Sequence, residues 1–274
     1  MSTAVSENIV KVERYIGGMD VIVWRNKKNT KSDTFPPVIM IHGMFGGGWY
    51  FKDWARFLCE KGFPVYVIKD LHKGEDLNKV DFYTYAEKST RVAEAIYNTT
   101  GKKAIILGHS MGGLIAQEIA KTKSELVEGI VLVTSAPPKG ISSMSWSVAK
   151  AMVKHLPSLV FNSPLEIDKK SAFELILNHF GSDEKQEKVF KKFVPESSRV
   201  AKQLAFSQIP IDEKKISCKS LVVSGRYDRL LPLKIQNRIA QKYDSDYISI
   251  LAGHMPMLES GQEEVIKRIW YWIE

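Results

Sequence analysis

Short, nearly continuous apolar runs recur along the chain, and amphipathic segments fill the gaps between them. Pro37-Val38-Ile39-Met40-Ile41, Pro64-Val65-Tyr66-Val67-Ile68, Ala104-Ile105-Ile106-Leu107 and residues 128–134, 219–224 and 247–251 are such runs. Runs this short, rich in Val and Ile, predict strands buried on both faces. The intervening residues 49–61 place Trp54, Phe57 and Leu58 on one helical stripe, closed by Gly62. Residues 83–99 (closed by Gly101), 114–120, 233–242 and 261–272 also read as helices. Ahead of these, residues 10–15 and 20–25 alternate around Gly17-Gly18, which predicts a hairpin, and residues 27–33 form a polar loop. Strands alternating with helices at βαβ spacing predict an α/β fold: a mostly parallel central sheet flanked by helices on both faces.

The rhythm changes after Ala136-Pro137-Pro138. Residues 139–212 contain no strand candidate. Apolar positions recur there at helical spacing: Trp146, Ala149, Met152, Val153 and Leu156; Phe173, Ile176, Leu177 and Phe180; Val189, Phe190 and Phe193; Val200, Ala201 and Leu204. Pro157, Pro164, Gly181 and Pro195 punctuate them. The expected organisation is a core of residues 1–138 and 213–274, with a helical insertion at 139–212 lying over the sheet edge.

Candidate chemistry centres on the run 104–107 and the turn after it. Gly108-His109-Ser110-Met111-Gly112 joins a strand to a helix, the context of a G-x-S-x-G nucleophile elbow. Side chains at 108 and 112 would block the close strand–helix approach, and Gly113 adds room. Serine at neutral pH needs a base, and the base needs an orienting acid. Of six histidines, His42 lies in a glycine-rich turn, and the side chain of His109 is expected to point away from the site. His72 and His155 have no distinctive setting, and His179 ends an insertion helix. His254 directly follows the last strand, at the sheet edge that carries Ser110, and is the expected base. Asp228 follows the strand at 221–223 and is the expected acid, whereas Asp244 and Asp246 precede a strand and fall on the opposite edge. His42-Gly43-Met44 follows the strand at 39–41, so the Met44 and Met111 N–H groups are expected to form an oxyanion hole.

Composition narrows the function classes. The 274 residues carry a formal charge of +8, but the lysines interleave with acids, as in Asp183-Glu184-Lys185-Gln186-Glu187-Lys188. That pattern reads as a solvated surface, not a nucleic-acid or membrane face. Cys59 and Cys218 sit in no C-x-x-C or zinc pattern, which predicts reduced packing residues and no metal. Residues 1–12 lack the apolar core of a signal peptide, and no run reaches the length of a membrane span, so a cytoplasmic location is expected. The glycines at 43–48 are followed by no Gly-Lys-Ser/Thr, and Gly101-Lys102-Lys103 fails the same test, so no phosphate loop is expected.

In order, His42-Gly43, Gly108-His109-Ser110-Met111-Gly112-Gly113, Asp228 and His254 resemble the α/β-hydrolase-fold superfamily from end to end. The pattern His42-Gly43-x-x-x-Gly47-x-Trp49 is similar to the plant methylesterase and hydroxynitrile lyase branch. Gly-His-Ser-Met-Gly-Gly resembles many lipases, monoglyceride lipases and carboxylesterases, and the insertion resembles the superfamily's cap. Ser110 at the elbow disfavours the dehalogenase and epoxide hydrolase branches, which carry Asp there. The resemblance implies a cofactor-free carboxylic ester hydrolase, monomeric or homodimeric, with a small-molecule substrate. His42, Gly43, Phe45, Trp49 and Met255 are expected to line the substrate pocket, with Met44, Met111 and Met257 nearby as adaptable apolar side chains. Lactone, thioester, amide or C–C bond hydrolysis, perhydrolysis, and a small-molecule receptor that keeps the fold stand as alternatives.

Overall fold

The apolar runs become the strands of one eight-stranded sheet. The structure, a computed structural model, describes residues 8–27, 34–144, 149, 153 and 155–274. The elements in chain order are β1 (Ile9–Ile16), β2 (Met19–Asn26), β3 (Val38–Ile41), a 3₁₀ turn (Gly48–Phe51) leading into α1 (Lys52–Glu60), β4 (Val65–Ile68), α2 (Phe82–Thr100), β5 (Ala104–His109), α3 (Met111–Thr122) and β6 (Val127–Val133). After β6 come α4 (Leu156–Phe161), a helical turn Lys169–Ser171 running into a π-turn Ala172–Ile176, α5 (Asp183–Phe190) and α6 (Ser198–Ala205). The core resumes with β7 (Lys219–Gly225), α7 (Leu233–Tyr243), β8 (Asp246–Ile250) and α8 (Gln262–Ile273).

The strand order is β1-β2-β4-β3-β5-β6-β7-β8. The hairpin β1-β2 and the β2-β4 pair are antiparallel, and every pair from β4 to β8 is parallel. The alternation of side chains along each strand explains the continuous apolar runs. Ile39 and Ile41 of β3, Ile106 of β5, and Ile130 and Leu132 of β6 join one core cluster, with residues of α2, α3 and α7. Val38 and Met40, Ile105 and Leu107, Val131 and Val133 face the opposite way, onto α1 and α8. Each parity of the strand has its own apolar layer, so neither can be polar. Parallel strands place all their carboxyl ends on one edge, and β3, β5, β7 and β8 feed the turns carrying Met44, Ser110, Asp228 and His254 there.

Between β6 and β7 the described residues add no strand to the sheet. Ile176, Leu177 and Phe180 pack into the α1/α8 side of the core, and Val200 and Leu204 into the other. Trp146 and Met152 lie outside the described residues. The segment also contains one antiparallel bridge, Leu165 to Glu196, which helical periodicity gave no reason to expect. Glu196 is one link between this segment and the core. His72 Nε2 donates to its Oε2 at 2.8 Å, Tyr85 OH to its Oε1 at 2.8 Å, and the Ser197 amide to Oε1 at 2.7 Å. The other nitrogen of His72 meets Asp70 at 3.0 Å. Burial opposes the charged imidazolium, but the hydrogen bonds to Asp70 and Glu196 outweigh it and raise His72 to about 9. Far from lacking a distinctive setting, His72 is a buried cation that ties residues after β4 to the insertion.

Among the described residues no helix is long and apolar enough to cross a membrane.

Candidate active site

Ser110 occupies the turn between β5 and α3 with φ 53° and ψ −118°, a left-handed conformation that a residue with a side chain adopts only when held there. The holding bonds are its amide to the Val133 carbonyl at 3.1 Å, and its own carbonyl, which accepts from Gly113 at 3.0 Å and Ala136 at 2.9 Å. A Cβ on Gly108 would collide with the Gly112 carbonyl, and one on Gly112 with the Ile41 carbonyl. β5 and α3 therefore approach each other, and β3, at backbone contact. α3 begins at Met111, whose amide has no intrahelical acceptor. The Met44 amide likewise donates to no protein group among the described residues.

Asp228 lies in the turn after β7. Its Oδ1 accepts from the Leu230 and Leu231 amides, both at 2.9 Å, and its Oδ2 lies 2.8 Å from Nδ1 of His254. Both side chains are buried. A carboxylate only accepts, so this hydrogen bond requires a proton on His254 Nδ1 and leaves Nε2 as the nitrogen not engaged by Asp228. Ser110 and His254 line one cavity but make no hydrogen bond to each other in these rotamers. Such bonds commonly tighten only once substrate is bound.

His109 does not point away from the site, as expected of the residue before the serine. Its ring lies 5.0 Å from that of His254 and lines the same cavity. Burial, reinforced by the neighbouring His254, holds it well below the ordinary histidine range, so it carries one proton. Its Nε2 faces the His254 carbonyl at 2.9 Å, which fixes the proton there. Its Nδ1 then accepts from Tyr50 OH at 2.9 Å, and the Tyr50 oxygen accepts from the Gly43 amide at 2.5 Å. Burial pushes the Tyr50 phenol well above its ordinary value, keeping it a donor. This chain joins the Met44 turn, the elbow and the His254 loop.

The cavity encloses about 170 Å³ and is walled mainly by apolar side chains. Of the residues expected at the substrate pocket, Phe45 and Met255 line this cavity, together with Met44. His42, Gly43 and Trp49 do not. His42 is fully enclosed beneath the turn. Its Nδ1 donates to the Gly43 carbonyl at 2.9 Å, and its Nε2 accepts from the Leu71 amide at 3.0 Å. Burial pushes it down to about 4, so it acts as a neutral brace. Gly43 stands behind Ser110, where an added Cβ would lie 2.9 Å from that of the serine. Trp49 is half-buried against the core with Lys192 Nζ 4.8 Å from its ring, and its neighbour Tyr50 lines the cavity instead. The turn at 48–51 is 3₁₀, not α, and this changes which residue faces inward. Met111 and Met257 pack in the two cores.

Residues between β6 and β7 complete the walls. His155, Leu159, Leu165, Ile176, Phe193 and Leu204 face the cavity, and Val194 N donates to the Phe45 carbonyl at 2.9 Å. Sequence reasoning missed Tyr50, the His72–Glu196 pair and Glu259, which are buried polar groups whose partners are remote in sequence. Asp70, His42 and His72 bring potential metal-ligating atoms within 4.8 Å of one another. All four ring nitrogens, however, are engaged by protein partners, so the cluster is a proton-sharing network and not a set of free lone pairs.

Residues 38–268 match the sequence profile of the Alpha/beta hydrolase family. The chain is similar to the uncharacterized hydrolase YugF of Bacillus subtilis (strain 168), at 22% identity over 74% of this chain and 76% of that protein. It is 30% identical to the sn-1-specific diacylglycerol lipase ABHD11 of Xenopus laevis over 102 residues, which are 37% of this chain and 33% of that one. Its fold matches that of a malate-bound thermophilic esterase from Thermogutta terrifontis with a TM-score of 0.68, at 20% identity and covering 96% of this chain and 98% of that structure. With the elbow, the sheet order and a profile match spanning most of its length, the chain belongs to the alpha/beta hydrolase family.

Proposed function

We propose that the protein is a serine hydrolase that cleaves carboxylic esters with an apolar acyl part through an acyl-enzyme. The observation that carries this reading is the 2.8 Å hydrogen bond from His254 to Asp228, with His254 lining the same apolar cavity as Ser110. His254 Nε2 takes the Ser110 proton as Oγ attacks the ester carbonyl, forming a C–O bond and placing negative charge on the carbonyl oxygen. The Met44 and Met111 N–H groups receive that oxyanion; losing one such donor typically costs about 2.7–4 kcal/mol in the barrier. The intermediate collapses, the C–O bond to the alcohol breaks, and His254 returns the proton to the departing alkoxide. Water, deprotonated by His254, then cleaves the acyl-enzyme, and the proton goes back to Ser110. Asp228 holds the imidazole and stabilises its cationic form throughout. The esterase and lipase among the similar proteins support the substrate class, as does the apolar wall of the cavity.

Steady turnover of p-nitrophenyl butyrate by the purified protein tests the reading. Sustained hydrolysis that is lost in Ser110→Ala supports it. A single binding event without turnover would make the protein a receptor on this fold.

A further inference from the structure

Glu259 lies five residues beyond His254, in the loop from β8 to α8, and its side chain is fully enclosed. A carboxylate survives burial only with compensating donors. Three converge on this one. The Gly253 amide donates to Oε2 at 2.7 Å, the Met255 amide to Oε1 at 3.2 Å, and His179 Nδ1 to Oε2 at 2.8 Å. Two of these donors are the amides on either side of His254. One carboxylate thus fixes the backbone on both sides of the His254 Cα. The His254 carbonyl is held separately, by His109 at 2.9 Å and by Thr134 Oγ1 at 3.0 Å.

The third donor comes from the insertion. Asn178 Nδ2 donates to the Tyr227 carbonyl at 2.8 Å, and the His179 ring stacks on the Tyr227 ring at 4.6 Å. Tyr227 immediately precedes Asp228. The dipeptide Asn178-His179 therefore grips both the loop bearing the acid and the loop bearing the base. A Cβ on Gly253 would lie 2.9 Å from that of His179, so glycine is what lets the insertion come this close.

We propose that Glu259 is a positioning residue for His254, and that Asn178-His179 couples the Asp228–His254 pair to the insertion that walls the cavity. The proposal rests on the catalytic reading of Ser110, Asp228 and His254. A glutamine at 259 keeps the shape but replaces one accepting oxygen with a donor, so one of the three N–H groups meets another N–H. An aspartate keeps the charge but is one methylene too short to span both amides. Either change tilts the imidazole without touching Ser110, Asp228 or the cavity wall. A misplacement of about 1 Å at a reacting group costs about 10²-fold in rate.

The test compares Glu259→Gln, Glu259→Asp and His179→Ala with the native protein. Turnover is counted per active site by phosphonate titration, and the low-field proton resonance of His254 Nδ1–H is followed by NMR. Expected for Glu259→Gln is a kcat per site lower by about 10²-fold, with KM changed less than about twofold and the resonance shifted. Glu259→Asp should recover part of the loss, and His179→Ala should show a smaller loss in the same direction. Native kcat per site and an unmoved resonance in Glu259→Gln, with only a lowered Tm, would overturn the positioning role. If Glu259→Gln does not fold, His179→Ala decides, because it leaves both amide bonds in place: unchanged kcat and resonance there overturn the coupling. Ser110→Ala run alongside separates the two layers. If it still turns over, the catalytic reading has failed; if it is inactive while Glu259→Gln is native-like, only this proposal has.

Discussion

The ring of His109 holds the main chain of His254, with Nε2 2.9 Å from the His254 carbonyl. The residue that precedes Ser110 in sequence thus braces His254, more than a hundred residues further along the chain. Tyr50 extends the brace to Gly43, the residue before Met44. His109→Phe should keep a planar ring in place, though a larger one, while removing both bonds, and kcat should fall by about 10–10²-fold with little change in KM. Tyr50→Phe leaves the buried Gly43 amide without its acceptor, so thermal unfolding should register a loss of about 1–3 kcal/mol. Native kcat in His109→Phe would show that the brace is not needed for catalysis.

Loss of the Asp228 carboxylate should damage kcat severely without unfolding the protein. Asp228→Asn replaces the acceptor at His254 Nδ1 with an amide and frees the wrong tautomer, so kcat should drop by up to about 10⁴-fold. Asp244→Asn and Asp246→Asn should be near neutral for kcat. Asp244 caps α7 in a left-handed conformation that asparagine also tolerates. Asp246 starts β8 at the far edge of the sheet, bonded to Trp272 Nε1. Steady-state kinetics on the three variants would contradict this placement if either control were the crippling change.

Those placements were legible because they depend on one local rule: residues just after a parallel strand share an edge. The run 104–107 and the glycines after it mark the elbow, and strands at 221–223 and 247–251 locate Asp228 and His254, with no need to know which side chains touch. The same rule says nothing about side-chain direction within a turn. Trp49 and Tyr50 are adjacent aromatics, and the 3₁₀ twist decides which one faces the cavity. His72, Glu196 and Glu259 were not legible because their meaning comes from partners far away in sequence. Residues 165 and 196 pair through a single bridge, too short to leave an alternating pattern.

The His72–Glu196 link predicts a pH dependence of stability. His72 is raised in the folded protein to about 9, above the ordinary 6.5. Its contribution is therefore fully present below about pH 6.5 and is lost as pH rises through about 9. Tm measured from pH 6 to 10 should fall along the alkaline limb, and His72→Ala should flatten that limb. At pH 7 the same variant should lose about 3–5 kcal/mol, since it leaves Glu196 buried without its cation. An identical alkaline limb in native protein and variant would show that His72 does not set the pH dependence.

The insertion should set acyl-chain selectivity, because Leu159, Leu165, Ile176 and Phe193 wall the cavity beside Ser110. Burying each further acyl methylene is worth about 0.8 kcal/mol. Leu159→Ala and Phe193→Ala should therefore shift kcat/KM across acetate, butyrate, hexanoate and octanoate esters, with acetate changed least. A parallel loss on all four esters would place these side chains outside the acyl path.

Every step of the proposed reaction starts from Ser110 as the nucleophile. The most direct measurement is reaction of the native protein with a fluorophosphonate, followed by peptide mapping of the adduct by mass spectrometry. One adduct per chain is predicted, on Ser110, with activity lost in step with labelling and no labelling of Ser110→Ala. An adduct on any other residue, or full activity in a protein stoichiometrically labelled at Ser110, would contradict it.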